Sequence, residues 1–222
     1  VLYHNNRDGT FTDVSAAAGI AGNVGKGLGV IAFDYNNDGL IDIFQANDTT
    51  PNFLFRNKGN GTFSEVALEA NCAFDPNGQT RGGMGVDAED LDGDGYQDVF
   101  VTNFSQQTNA LWRNNRDGTF DEVTYELGLG KISLPMSGFG TRFIDYDNDG
   151  WIDIYVANDS TPNFLFHNKG KGVFEEVGFW SGAAVGADGK PLAGMGTDMG
   201  DLNGDGLLDI FVTNLDGQTH SL

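Results

Sequence analysis

Four stretches of this chain place carboxylates at spacings that could enclose a hard cation. They are Asp34-Tyr-Asn-Asn-Asp-Gly-Leu-Ile-Asp42, Asp90-Leu-Asp-Gly-Asp-Gly-Tyr-Gln-Asp98, Asp145-Tyr-Asp-Asn-Asp-Gly-Trp-Ile-Asp153 and Asp201-Leu-Asn-Gly-Asp-Gly-Leu-Leu-Asp209. Each fits the pattern D-x-[DN]-x-D-G-x-x-D. Positions one, three and five offer side-chain oxygens: Asp34, Asn36 and Asp38; Asp90, Asp92 and Asp94; Asp145, Asp147 and Asp149; Asp201, Asn203 and Asp205. Position six is glycine, which folds the loop back through a left-handed backbone. Position seven (Leu40, Tyr96, Trp151, Leu207) is expected to give a main-chain carbonyl. Position nine (Asp42, Asp98, Asp153, Asp209) closes the site with a further carboxylate. Oxygen-only, carboxylate-rich ligation selects Ca2+ over softer metals, and suits it better than Mg2+, which holds a smaller shell and keeps its waters. Up to four Ca2+ are expected. Loops two and three carry four aspartates each and should bind more tightly than loops one and four, where Asn36 and Asn203 replace a carboxylate. A helix-loop-helix calcium site is excluded, because position twelve is Gln45, Val101, Val156 or Val212 instead of glutamate and the flanks alternate like strands.

The loops recur at intervals of 56, 55 and 56 residues, so they belong to a repeat. The segments Asn47 to Val66 and Asn158 to Val177 are nearly the same sequence, two units apart. Each unit predicts four strands. In the second unit these are Gly83 to Glu89, Asp98 to Asn103, Asn109 to Asn114 and Thr119 to Thr124, with the aspartate loop joining the first two and a glycine turn joining the last two. The fold class is therefore all-β: a β-propeller of four-stranded antiparallel blades, with repeat units of about 56 residues. The whole of 1–222 reads as one propeller segment, with a half blade at 1–24, blades at 25–80, 81–135 and 136–191, and a half blade at 192–222. Either the end halves close one ring of four, or the chain is an arc of a larger ring. Val1-Leu2 and Ser221-Leu222 both align with Ala110-Leu111, and that overlap favours the arc. Gly29, Gly85, Gly140 and Gly196 mark first strands that crowd together at a central channel.

Lys plus Arg is 12 and Asp plus Glu is 32, a formal charge of −20, which argues against nucleic acid and anionic membranes as partners. The 17 Phe, 6 Tyr and 3 Trp are too many for a disordered acidic tail. The lone cysteine, Cys72, permits no internal disulfide and reads as a small buried loop residue. No apolar run is long enough for a membrane helix, so no membrane insertion is expected. No signal peptide is visible, and the chain starts in mid-pattern at Val1, as a piece of a longer protein would.

These residues carry a family resemblance. The aspartate loops, the Phe139-Gly140 dipeptide and the Val156-Ala157-Asn158 strand ending resemble FG-GAP or VCBS repeats. The Arg56 to Phe63 hairpin further resembles the ASPIC/UnbV and cartilage acidic protein group. The resemblance implies an integrin-α-like propeller of seven or eight blades, calcium at the loop residues named above, and a secreted or cell-surface location. It also implies that partners bind the face opposite the calcium loops.

That face is built from the long connections Ala67 to Gly82 and Gly178 to Gly194 and the short ones Asn47 to Pro51 and Asn158 to Pro162. Three functions are weighed. The first is protein recognition or adhesion. The second is a lectin-like module with aromatic platforms, for which Trp112, Trp151 and Trp180 are candidates; Trp112 shares its slot with Phe55, Phe166 and Tyr3 and reads as core, whereas Trp151 could project outward from its loop. The third is part of a calcium-dependent polysaccharide-degrading enzyme. No catalytic set stands out. His4 and His167 share a slot with Arg56 and Arg113, His220 aligns with Asn109, and no phosphate-binding glycine loop is present. Asn47, Asn60, Asn103 and Asn158 begin N-x-[ST] sequons that recurring turn residues explain equally well.

Overall fold

The computed structural model describes residues 1–170, 172–215 and 217–218. Three complete sheets of four antiparallel strands follow one another along the chain. The first contains β3 (Gly27–Phe33), β4 (Asp42–Asn47), β5 (Phe53–Asn57) and β6 (Phe63–Glu65). The second contains β7 (Gly83–Glu89), β8 (Asp98–Asn103), β9 (Ala110–Asn114) and β10 (Phe120–Glu122). The third contains β11 (Gly138–Ile144), β12 (Asp153–Asn158), β13 (Phe164–Asn168) and β14 (Phe174–Glu176). Two-stranded sheets flank them: β1 (Tyr3–Asn5) with β2 (Phe11–Asp13), and β15 (Gly194–Gly200) with β16 (Asp209–Asn214). Among the described residues the flanking pairs stay separate sheets, so the half blades do not join to close a ring of four. The expected partner strand at Ser221-Leu222 and His220 lies outside the described residues.

Strand alternation explains the blade packing. Along β8, Val99 and Val101 join a core with Phe44 and Leu54 of the blade before. Phe100 points the other way, into a core with Ile154, Val156 and Phe166 of the blade after. The central strands β8 and β12 are buried at every position, so their middles, Val99 to Val101 and Ile154 to Ala157, are apolar, while the buried Asp and Asn at their ends are hydrogen-bonded. Aromatic pairs hold the blade interface: Phe44 lies 6.0 Å from Trp112 and Tyr35 lies 6.1 Å from Phe120 between ring centroids.

The first strands line one channel, and their glycines set its width. A β-carbon at Gly85 would stand 2.0 Å from the Phe139 carbonyl oxygen, and one at Gly29 would stand 2.6 Å from that of Met84. At Gly140 it would meet the Thr197 nitrogen at 2.7 Å. Backbone from the next blade fills the space where a side chain would start.

Two details depart from the expected strands. The third strand of the second blade begins at Ala110 and the fourth spans only Phe120–Glu122, because Asn109 and Thr124 bond through side chains instead. The connections from fourth to first strands also hold single helical turns, α1 (Gly130–Ser133) and α2 (Gly178–Ser181), the latter stopped by Gly182 at φ 85°.

Candidate metal loops

Each aspartate loop sits between the first and second strand of its blade, and its own amides fold it. In loop one, Asp34 accepts from the amides of Asp38 (3.1 Å) and Gly39 (2.7 Å), and Asp38 accepts from Leu40 (2.9 Å). In loop two, Asp90 accepts from Gly93, Asp94 and Gly95, and Asp94 from Tyr96. In loop three, Asp145 accepts from Asp149 and Gly150, and Asp149 from Trp151. In loop four, Asp201 accepts from Gly204, Asp205 and Gly206, and Asp205 from Leu207. Those bonds hold the Asp201 carboxyl below its ordinary pKa, the Gly206 amide contributing most.

This folding gathers the side chains. Asp90, Asp92 and Asp94 offer one carboxylate oxygen each, all within 4.8 Å of one another, and so do Asp145, Asp147 and Asp149. Loops one and four fold with the same bonds, but Asn36 and Asn203 stand at position three. Burial, with the nearby Asp94 charge, raises the pKa of Asp92. The donor set is oxygen-only and anionic, as a hard divalent cation requires.

Position nine does a second job. Asp42 and Asp153 are fully buried and Asp98 is nearly so. One oxygen accepts from position two of its own loop, at Tyr35 (3.3 Å), Leu91 (3.2 Å) and Tyr146 (3.1 Å). The other accepts from the last residue of the third strand, at Asn57 (2.7 Å), Asn114 (2.8 Å) and Asn168 (2.7 Å). Burial still dominates these bonds and pushes Asp42 up to about 6 and Asp98 up to about 7.

The asparagines just named were not apparent as site residues. Asn114 Nδ2 donates to the Tyr35 carbonyl of the preceding blade's loop at 2.7 Å, and Asn168 Nδ2 to that of Leu91 at 3.0 Å. Asn37 Nδ2 adds a bond from loop one to the Gly95 carbonyl of loop two at 2.8 Å. The loops are thus tied in a row. Their only early signal is that an asparagine ends each third strand. Arg116, from the turn after β9, was missed too; its Nε stands 2.5 Å from Asp94 Oδ2.

The family model described as FG-GAP-like repeat matches residues 1–45, 34–101, 90–154 and 145–212, one aspartate loop in each overlap. This chain belongs to the FG-GAP-like repeat family. Cartilage acidic protein 1 of Homo sapiens is 30% identical over 211 residues, which cover 91% of this chain and 30% of that protein. The protein of the same name from Xenopus tropicalis is 28% identical over 216 residues, covering 87% of this chain and 32% of its own length. The chain thus spans about a third of the curated relatives it matches. Among solved structures, that of an Agrocybe aegerita lectin, described as recognising non-reducing terminal N-acetylglucosamine, aligns with a TM-score of 0.51. Its identity is 21% and the alignment covers 95% of this chain and 54% of that one, so the likeness is one of fold.

The opposite end of the FG-GAP repeats is closed by connection-to-connection bonds. Asn52 donates to Ala73, and Asn163 to Ala184, through main-chain atoms at 3.1 and 2.8 Å. Three of the sequon asparagines work here: Asn47, Asn103 and Asn158 are buried and donate to the carbonyls of Pro51, Thr108 and Pro162. Asn60 is exposed on the other end. The tryptophans separate clearly. Trp112 is core. Trp151 does not project outward but is half-buried over Gly170, close enough that a β-carbon there would meet its ring at 2.9 Å. Trp180, on α2, is 92% exposed, and its neighbour Phe179 is 63% exposed. Cys72 is fully buried, which raises its thiol pKa. No helix among the described residues is long and apolar enough to cross a membrane.

Proposed function

We propose that this chain is a calcium-stiffened segment of an extracellular recognition propeller. The four aspartate loops hold structural Ca2+ on one face, and protein or glycan partners bind the connections on the other. The supporting observation is the convergence of Asp90, Asp92 and Asp94, and of Asp145, Asp147 and Asp149, on points where three carboxylate oxygens lie within 4.8 Å. Such crowding is costly without a counter-charge, and a divalent cation supplies it. Calcium at extracellular concentration would saturate even weak loops, which suits the secreted or surface location proposed. Asn36, Asn203 and the position-nine aspartates complete the ligand sets, with the carbonyls of Leu40, Tyr96, Trp151 and Leu207. The ring continues to seven or eight blades on this reading.

The test is thermal unfolding in millimolar calcium, after chelation, and in magnesium. A melting temperature raised by calcium alone supports structural sites; a melt indifferent to calcium overturns them.

A lectin-like role is the second reading, favoured by the exposed Phe179 and Trp180 on the end opposite the aspartate loops. Stacking of a sugar ring on an indole needs such exposure. A glycan screen with the parent chain and with Trp180→Ala separates it from protein recognition. Binding lost in that variant supports the lectin, and no glycan binding leaves the protein-recognition reading.

A further inference from the structure

Loop three differs from the others in one side chain that can bind a metal through nitrogen. His167 stands on β13 in the slot that Arg56 and Arg113 occupy in the other complete blades. Its Nδ1 lies 3.2 Å from Asp153 Oδ1 and 3.7 Å from Asp147 Oδ2. The three ligand atoms of Asp147, Asp153 and His167 lie within 4.8 Å of one another, as a second group beside that of Asp145, Asp147 and Asp149. The Asp153 side chain is fully buried and that of His167 is 18% exposed, so the cluster sits in the wall of the blade with its open side at Asp147. Tyr146 fixes the ring, meeting it edge-on at 5.6 Å and 88°.

We infer that His167, Asp153 and Asp147 form a site for a transition-metal cation of the Zn2+, Co2+ or Mn2+ class. Imidazole nitrogen suits these ions and adds little for calcium. One imidazole and two carboxylates leave the remaining position to water. Binding through Nδ1 uses its lone pair, with the proton of the neutral imidazole on Nε2. Blades one and two lack the site, because a guanidinium offers donors and no lone pair. Asp147 and Asp153 are also the proposed calcium ligands of loop three, so this ion and a calcium there compete for both carboxylates. The site itself rests on His167 and stands whether or not the aspartate loops bind calcium.

The experiment strips the intact chain with chelator and titrates it with Co2+, followed by its visible absorption, and with Zn2+, followed by calorimetry. Calcium is absent in one series and millimolar in the other. The expected result is one equivalent with the absorption of a nitrogen-ligated ion, weakened when calcium is present. In His167→Arg, which installs the residue that blades one and two carry, affinity falls at least about tenfold. His4→Ala keeps the parent affinity. If the parent chain takes up no more Co2+ or Zn2+ than His167→Arg does, the cluster holds an adventitious ion only and the inference fails. A chain that binds Co2+ through His167 but ignores calcium would uphold this site while overturning the calcium reading.

Discussion

Asn114 Nδ2 donates to the carbonyl of Tyr35, 79 residues earlier and in the preceding blade, at 2.7 Å. The same amide reaches the Gln97 carbonyl of its own blade at 3.2 Å, and the main-chain nitrogen of Asn114 donates to Asp98. One residue therefore joins a third strand, its own aspartate loop and the loop next door. Asn168 repeats this with Leu91, Ile152 and Asp153. Among the described residues, Asn57 bonds within its own blade, to Asp42, Ile41 and Gly59.

Replacing Asn114 by alanine leaves the buried Tyr35 carbonyl without this donor, at a cost of about 1–3 kcal/mol. Asn57→Ala, which breaks no bond between blades, should cost less. Chemical denaturation of the two variants checks the ranking. Equal losses would show that the link between blades adds nothing to the local cap.

The position-nine aspartates predict an unusual response to pH. Burial raises Asp42 to about 6 and Asp98 to about 7 from an ordinary 3.8. A folded carboxyl with a raised pKa takes up protons before the unfolded one does, so falling pH favours the folded state between about pH 7 and pH 4. In chelator, the melting temperature should rise as pH drops through that window. In calcium the trend should flatten or reverse, because the ion needs the carboxylates ionised. Melting curves across pH with and without calcium test both halves. A chelated chain that weakens steadily from pH 7 downward would mean that backbone donors outweigh burial at these sites.

Much of the architecture was legible because the repeat states it four times. Loop positions, strand order and the glycines of the channel recur at a fixed interval, and periodicity in sequence becomes periodicity in space. Contacts between blades were not legible. That Asn114 reaches Tyr35 depends on how two blades are rotated, which no local pattern encodes, and asparagine at a strand end reads first as turn chemistry. Trp151 was misjudged for a related reason. Its slot is otherwise leucine or tyrosine, and only the three-dimensional turn places Gly170 beneath its ring.

Arg116 gives a prediction about cation affinity. Its guanidinium stands 2.5 Å from Asp94 Oδ2, a proposed ligand in a loop of four aspartates. It relieves repulsion there and competes with an incoming ion. Arg116 is largely exposed, so solvent screens the pair and its effect is small. Arg116→Ala should lower the melting temperature in chelator slightly and tighten calcium binding at loop two by about twofold to fivefold. Calorimetric titration of the variant decides it. Weaker binding would instead make Arg116 a residue that holds Asp94 in position.

The channel glycines predict a graded series. At Gly85 a methyl group would need to occupy the place of the Phe139 carbonyl oxygen, 2.0 Å away, and backbone cannot move aside as a flexible side chain can. Thr102 makes the spot stiffer still, since its hydroxyl accepts from Gly85 at 2.8 Å and donates to the Phe139 carbonyl at 2.6 Å. Forcing an extra carbon into such a contact costs about 1–3 kcal/mol or more. Among the described residues, the same methyl at Gly196 meets the Thr213 hydroxyl, at 3.1 Å, a side-chain atom that can move where backbone cannot. Gly85→Ala should therefore destabilise this chain far more than Gly196→Ala, although the repeat makes the two positions equivalent. Guanidinium unfolding of both variants measures the gap. A Gly196→Ala loss as large as that of Gly85→Ala would show that the glycine is needed within its own blade, and that the approach of the next blade is not what excludes a side chain.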